Sequence, residues 1–222
     1  MNSVFVTGTD TGVGKTRISV GLIELLKQQG LRVAGMKPVA SGCAVTDEGL
    51  RNEDAVALRS HANVDLPYER INPYAFEPAI APHIAAQQLG VTIELSQIKH
   101  NYDVILQQVD AVVVEGAGGW LVPLNEQDTL AVLAVQLGLP VVLVVGIRLG
   151  CINHTLLTVD AIRQSGLPLY GWVANQLEEN EQADAMIDTL EQRISAPCIG
   201  VVPPLTEQQT AEKFLKIGAQ DA

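Results

Sequence analysis

The sequence predicts an α/β fold: a mostly parallel sheet of about seven strands with helices on both faces. Apolar, β-rich runs recur at residues 4–7, 31–36, 111–114, 141–145, 169–174 and 198–202, and helical patterns lie between most of them. Val141–Val145 is continuously apolar rather than alternating, as a strand buried on both faces should be. The residues directly after these runs are Gly-rich or polar, and sheets of this kind take ligands beyond the carboxyl ends of their strands. With 222 residues, 47% of them hydrophobic, a single domain spanning 1–222 is the simplest organisation. No repeat or low-complexity tract interrupts it.

The first strand leads into the most informative stretch, Val6-Thr7-Gly8-Thr9-Asp10-Thr11-Gly12-Val13-Gly14-Lys15-Thr16. Ile18, Leu22, Leu25 and Leu26 then follow helical spacing. A strand, a Gly-rich turn and a helix opening on Lys15-Thr16 wrap backbone N–H groups around a triphosphate. The lysine reaches the outer phosphates and the threonine hydroxyl ligates Mg²⁺. This points to a P-loop NTPase-like fold binding ATP through Gly12, Val13, Gly14, Lys15, Thr16 and Arg17, with Mg²⁺ as cofactor. The general pattern has a glycine at position 9; here Thr9 stands there and Gly8 comes one residue early. The alternative is a strand-to-helix turn without a ligand; the preceding strand and following helix weigh against it.

Each later strand end offers a candidate. Lys37 ends the second strand before Pro38 and presents a compact charge to the ligand edge, unless it is an ordinary strand-end lysine. Val112-Val113-Val114-Glu115 is an apolar strand ending in a carboxylate, where such proteins hold Mg²⁺. Gly116, Ala117 and Gly118 follow, allowing close backbone approach to phosphate. Asp54 is either a further metal-site carboxylate or a helix N-terminal acid favoured by the dipole. The loop 148–154 opens a helix whose N–H groups, near Gly150 and Asn153, suit a carboxylate, or Asn153 simply caps it. Asn175 ends the fifth strand. Residues 43–110 hold several turns and two or three helices. Leu130–Ile147 divides at Gly138 and Pro140 into a helix, a turn and a buried strand. Trp120 and Trp172 read as core or pocket walls.

The charge of −11 and pI of about 4.7 argue against nucleic-acid and anionic-membrane partners. Cys43, Cys151 and Cys198 lack metal-ligand spacing and fit a reducing compartment. Residues 1–16 lack the basic start and cleavage pattern of a signal peptide, so a cytoplasmic location is expected.

Taken together, these segments resemble the dethiobiotin synthetase family. The resemblance rests on the phosphate loop with its extra residue, Gly35…Lys37-Pro38-Val39-Ala40-Ser41-Gly42, Asn52…Asp54-Ala55, Asn72-Pro73-Tyr74, Pro82-His83, Val114-Glu115-Gly116-Ala117-Gly118-Gly119-Trp120, Leu149-Gly150-Cys151-Ile152-Asn153-His154 and Gly171-Trp172-Val173-Ala174-Asn175. It runs from the start to about residue 204. Members often carry Glu where this chain has Gly12.

The resemblance implies an ATP-dependent cyclo-ligase acting on 7,8-diaminopelargonic acid and CO₂. It implies catalytic Lys37 and Lys15, and metal ligands Thr16, Asp54 and Glu115. Adenine-side contacts fall to Asn175, Gln176, Pro203, Pro204 and Leu205, and substrate contacts to Thr11, Ser41, Gly150 and Asn153. It also implies a homodimer. A cobyrinate-amidating ligase would need a glutaminase domain, for which the chain reads as too short. A partition-type ATPase would carry an early lysine where Asp10 and Thr11 stand.

Overall fold

The computed structural model describes residues 3–206 and 209–217. Residues 1–2, 207–208 and 218–222 lie outside the described residues. The strands are β1 (Val4–Gly8), β2 (Val33–Met36), β3 (Val39–Ala40), β4 (Ala44–Thr46), β5 (Gly49–Arg51), β6 (Tyr74–Ala75), β7 (Ala111–Glu115), β8 (Val141–Gly146), β9 (Leu169–Asn175) and β10 (Cys198–Val202). The helices are α1 (Lys15–Gln28), α2 (Glu53–His61), α3 (Tyr68–Ile71), α4 (Pro82–Gln88), α5 (Leu95–Leu106), α6 (Leu130–Leu137), α7 (Cys151–Gln164) and α8 (Ala183–Glu191).

Six strands form the central sheet in the order β10-β9-β8-β1-β7-β2. Every pairing within it is parallel. Side chains alternate across each strand, so neighbours in sequence serve opposite layers. Val4 and Val6 pack with Ile18, Leu22, Ile23 and Leu26 of α1 and Leu58 of α2. Phe5, Val112 and Val114 pack with the α3–α6 side, including Ile98 and Leu133. Leu143, Val145 and Trp172 pack with α7 and α8. Helices therefore cover both faces, as expected. Trp120 is buried and meets Phe5 edge-on, 6.1 Å between ring centroids, so both tryptophans belong to the core.

Among the described residues the central sheet has six strands, against about seven expected. Beyond β10 the described residues make one antiparallel bridge, Gly200 to Leu215, after a single 3-10 turn. One expectation needs correction. Residues 43–110 contain four helices, α2–α5, plus the β4–β5 hairpin and β6, which pairs with β3 just before the segment. Elements of two to four residues are too short for periodicity to reveal. The division at Gly138 is as read: it ends α6 at φ 65°, and β8 follows. Among the described residues no helix is long and apolar enough to cross a membrane.

Candidate active site

β1, β2 and β7 end side by side, and a cleft of about 760 Å³ opens at their carboxyl ends. A groove of about 960 Å³ lies between the β4–β5 hairpin and α2, but it shares no residue with the cleft. Two of its charged groups, Arg51 and Arg59, already pair with Glu48 and Asp65. The two buried lysines, Lys15 and Lys37, face the smaller cleft.

The phosphate loop is shaped by close approach. Gly8 abuts Val13, so a side chain there would displace the loop. Gly14 stands at φ 87° as the N-cap of α1, a conformation L side chains resist, and a Cβ there would strike the Asn175 amide. Gly12 also has a positive φ, 74°, in open space. Among the described residues no side chain caps α1, so its first-turn N–H groups are left for an anion. Lys15 Nζ donates to the Asp10 carbonyl at 2.9 Å and the Gly118 carbonyl at 2.8 Å. Burial, with neighbouring Lys37 adding to it, lowers the Lys15 pKa to about 8.

Lys37 follows β2, and Glu115 closes β7. The parallel register pairs Met36 with Val114, which brings Lys37 level with Glu115. Lys37 Nζ donates to Glu115 Oε1 at 2.6 Å, Asp54 Oδ2 at 2.7 Å and the Gly116 carbonyl at 3.2 Å. Burial opposes its charge, but the two carboxylates outweigh it and hold the ammonium above its ordinary pKa. Burial likewise opposes the charge on Asp54, yet Lys37 and the Thr16 hydroxyl keep its carboxyl below the usual range. The Thr16 hydroxyl lies 2.6 Å from Asp54 Oδ1 and 3.0 Å from Glu115 Oε1.

Thr16 Oγ1, Asp54 and Glu115 thus form an all-oxygen donor set, the chemistry a hard divalent cation prefers. Glu115 is fully buried, and its Oε2 has no hydrogen-bond partner among the described residues. An orphaned carboxylate oxygen near a threonine hydroxyl fits a hard divalent cation such as Mg²⁺. Ser41 also lines the cleft, with a buried hydroxyl lacking a partner among the described residues.

Thr11, Gly12, Gly14, Ala117 and Gly118 line the cleft with these residues. Val13 and Gly116 contribute through backbone: the Val13 carbonyl accepts from Asn175 Nδ2 at 2.8 Å, and that of Gly116 from Lys37. The adenine-side candidates form a separate group beside the loop. Arg17 Nη1 donates to the Leu205 carbonyl at 3.0 Å, and the Gln176 N–H to the Val202 carbonyl at 2.8 Å, next to Pro203 and Pro204. Gly150 and Asn153 are exposed and do not line the cleft. Asn153 does not cap α7; Gly150 is the N-cap, at φ 92°.

Sequence reading missed the buried network beneath the site. The Asn52 N–H donates to Tyr68 Oη, and Tyr68 Oη–H to Asn72 Oδ1. Asn72 Nδ2 donates to the Lys37 carbonyl. Asn52 also accepts from the Ala55 N–H, capping the helix that carries Asp54. Asn52 and Asn72 were visible as motif residues, but the Tyr68 link had no local signal.

A family model described as AAA domain matches residues 2–212. The chain is 54% identical over 203 residues to the ATP-dependent dethiobiotin synthetase BioD of Cellvibrio japonicus, covering 91% of this chain and 89% of that protein. It is 48% identical over 215 residues to the enzyme of the same name from Chromohalobacter salexigens, covering 92% and 91%. The chain belongs to the ATP-dependent dethiobiotin synthetases, within the AAA-domain family.

Solved structures share the fold of this chain. The MinD cell division protein of Aquifex aeolicus aligns with TM-score 0.59 at 13% identity, covering 96% of this chain and 93% of that one. The Pyrococcus horikoshii septum site-determining protein MinD complexed with Mg-ADP aligns with TM-score 0.53 at 14% identity, covering 90% and 81%. At such identities the likeness is one of fold alone.

Proposed function

We propose that this chain, as a single α/β domain, converts 7,8-diaminopelargonic acid, CO₂ and ATP to dethiobiotin, ADP and phosphate. The observation that carries this reading is the convergence of two buried lysines, Lys15 and Lys37, with Thr16, Asp54 and Glu115 on one cleft. One amine adds to CO₂ and loses a proton to give a carbamate. The carbamate oxygen attacks the γ-phosphate and ADP leaves, forming a mixed carbamic–phosphoric anhydride. The neighbouring amine then attacks the carbamoyl carbon, closes the cyclic urea and expels phosphate. No protein nucleophile is required.

The residues meet the main electrostatic difficulty, the approach of two anions. Lys15 and Lys37 place positive charge where carbamate and γ-phosphate meet, and the α1 N-terminus adds N–H donors. The Thr11 and Ser41 hydroxyls suit the carbamate or diamine. Thr16, Asp54 and Glu115 would hold Mg²⁺, which supplies further charge stabilisation to the phosphates. Asn175, Gln176 and Pro203–Leu205 suit the adenine side.

The exposed loop before α7 suits the substrate's carboxylate tail in a homodimer. Leu149 is 94% exposed and Leu157 62%, apolar side chains that a second copy would cover in the homodimer. With Gly150 and Asn153 outside their own cleft, the tail is read by the second copy. A cytoplasmic location fits this chemistry. Mass spectrometry after incubation with diamine, bicarbonate and MgATP tests the reading. Dethiobiotin is expected; its absence, with phosphate released regardless of diamine, overturns it.

A further inference from the structure

Asp10 is the only acid in the phosphate loop between Thr9 and Arg17, a carboxylate placed where a triphosphate must bind. Its side chain has a structural task. Oδ1 accepts the Thr11 N–H at 2.7 Å, setting the turn that also turns the Asp10 carbonyl to Lys15 Nζ. The turn requires an acceptor oxygen, but it does not require a charge.

That charge is met by Arg148, 138 positions along the chain in the loop after β8. Arg148 Nη2 donates to Asp10 Oδ2 at 2.8 Å, with both side chains about half exposed, 49% and 48%. A pair this exposed contributes little to stability. Its position matters more. Asp10 lies in the phosphate loop itself, so its charge, unless met, stands beside the phosphates that Lys15 and the α1 N-terminus attract. Arg148 meets that charge directly.

We propose that Arg148 is a positioning residue of the ligase reaction. It cancels the Asp10 carboxylate, so the loop keeps its Thr11 turn without repelling the triphosphate. It acts through Asp10 rather than by touching nucleotide. The inference rests on the proposed function for its place in the reaction, but nucleotide binding alone can test it.

Calorimetry would measure the affinity for Mg²⁺ with the β,γ-imido analogue of ATP. Four proteins are compared: wild type, Arg148→Met, Asp10→Asn and the double variant. Arg148→Met is expected to weaken binding about three- to tenfold at low salt, and about 0.5 M salt should shrink the loss. Asp10→Asn keeps the acceptor for Thr11 and removes the charge, so alone it should bind as tightly as wild type or tighter. The double variant should return to within about twofold of wild type. Arg148→Lys should rescue binding.

Unchanged affinity in Arg148→Met overturns the proposal. So does a double variant as weak as Arg148→Met, since the guanidinium would then act directly on nucleotide. If Arg148→Met does not fold, Asp10→Asn and Arg148→Lys still decide: weaker binding by Asp10→Asn refutes it. Diamine plays no part in this assay. A wild type that makes no dethiobiotin would sink the proposed reaction and leave this result standing.

Discussion

The Lys37 ammonium lies 2.6 Å from Glu115 Oε1 with side-chain exposures of 4% and 0%. Two charges so deep are costly to desolvate, and each is tolerable only because the other is there. Asp54, at 2.7 Å and 40% exposed, completes the contact from α2. The pair is a product of sheet register: β2 and β7 run parallel, and the residues ending them meet.

Lys37→Ala should lower turnover about 100- to 1000-fold, the usual cost of removing one preorganised charge at a developing anion. Nucleotide affinity should remain within a few-fold of wild type. The variant also strands a buried carboxylate, which typically costs about 3–5 kcal/mol. Melting without Mg²⁺ should therefore fall, and added Mg²⁺ should raise it more than in wild type. Rate, affinity and melting temperature are measured separately. Near-normal turnover removes Lys37 from the reaction.

Glu115→Gln and Asp54→Asn keep shape and remove one charge each from the proposed hard-cation site. Activity plotted against Mg²⁺ should shift to about tenfold higher concentration or more for each. The Glu115 change should be the larger, because that side chain is fully buried. If neither curve moves, the three-oxygen metal site is wrong.

Asp110 offers a pH-dependent test remote from the site. Hydrogen bonds from the Arg32 side chain and backbone hold its carboxyl at about 2, against 3.8 ordinarily. The folded pKa is depressed, so the stabilisation is fully present well above pH 3.8 and is lost as pH falls through about 2. Asp110→Asn should lower the urea midpoint at pH 6 by a small amount, since the pair is exposed. The gap from wild type should narrow as pH falls from 6 to 3. A constant gap would show that charge is not what Asp110 contributes.

The shared-site reading is checked by mixing subunits. One carries Lys37→Ala; the other has residues 150–153 disrupted. If the tail of the diamine is bound across the boundary, each hybrid keeps one intact site and recovers part of the activity. Sedimentation confirms the hybrids. No recovery in confirmed hybrids, or a fully active monomer, defeats the idea.

Much of the fold was legible because it is local. The strand runs, the phosphate loop and the Gly138 break are written in consecutive residues, and burial on both faces makes each parallel strand continuously apolar. Lys15 and Thr16 follow from chain geometry alone, since a helix that opens on them must present them to the loop. The small elements of residues 39–75 were not legible, because β3, β4, β5, β6 and α3 are shorter than the periods that would announce them.

The sequence by itself determined the sheet, the nucleotide loop and the strand ends at which charge gathers. Only the tertiary structure decided which charges meet. Asp54, read as either metal ligand or helix-end acid, stands in the first turn of α2 and is brought by that helix to Lys37 and Thr16. Arg148 carried no signal toward Asp10, and Tyr68 none toward Asn72 and Asn52. The reason is physical: backbone pattern is set by neighbours within a few residues, whereas ion pairs and buried networks depend on register and packing between segments distant in the chain.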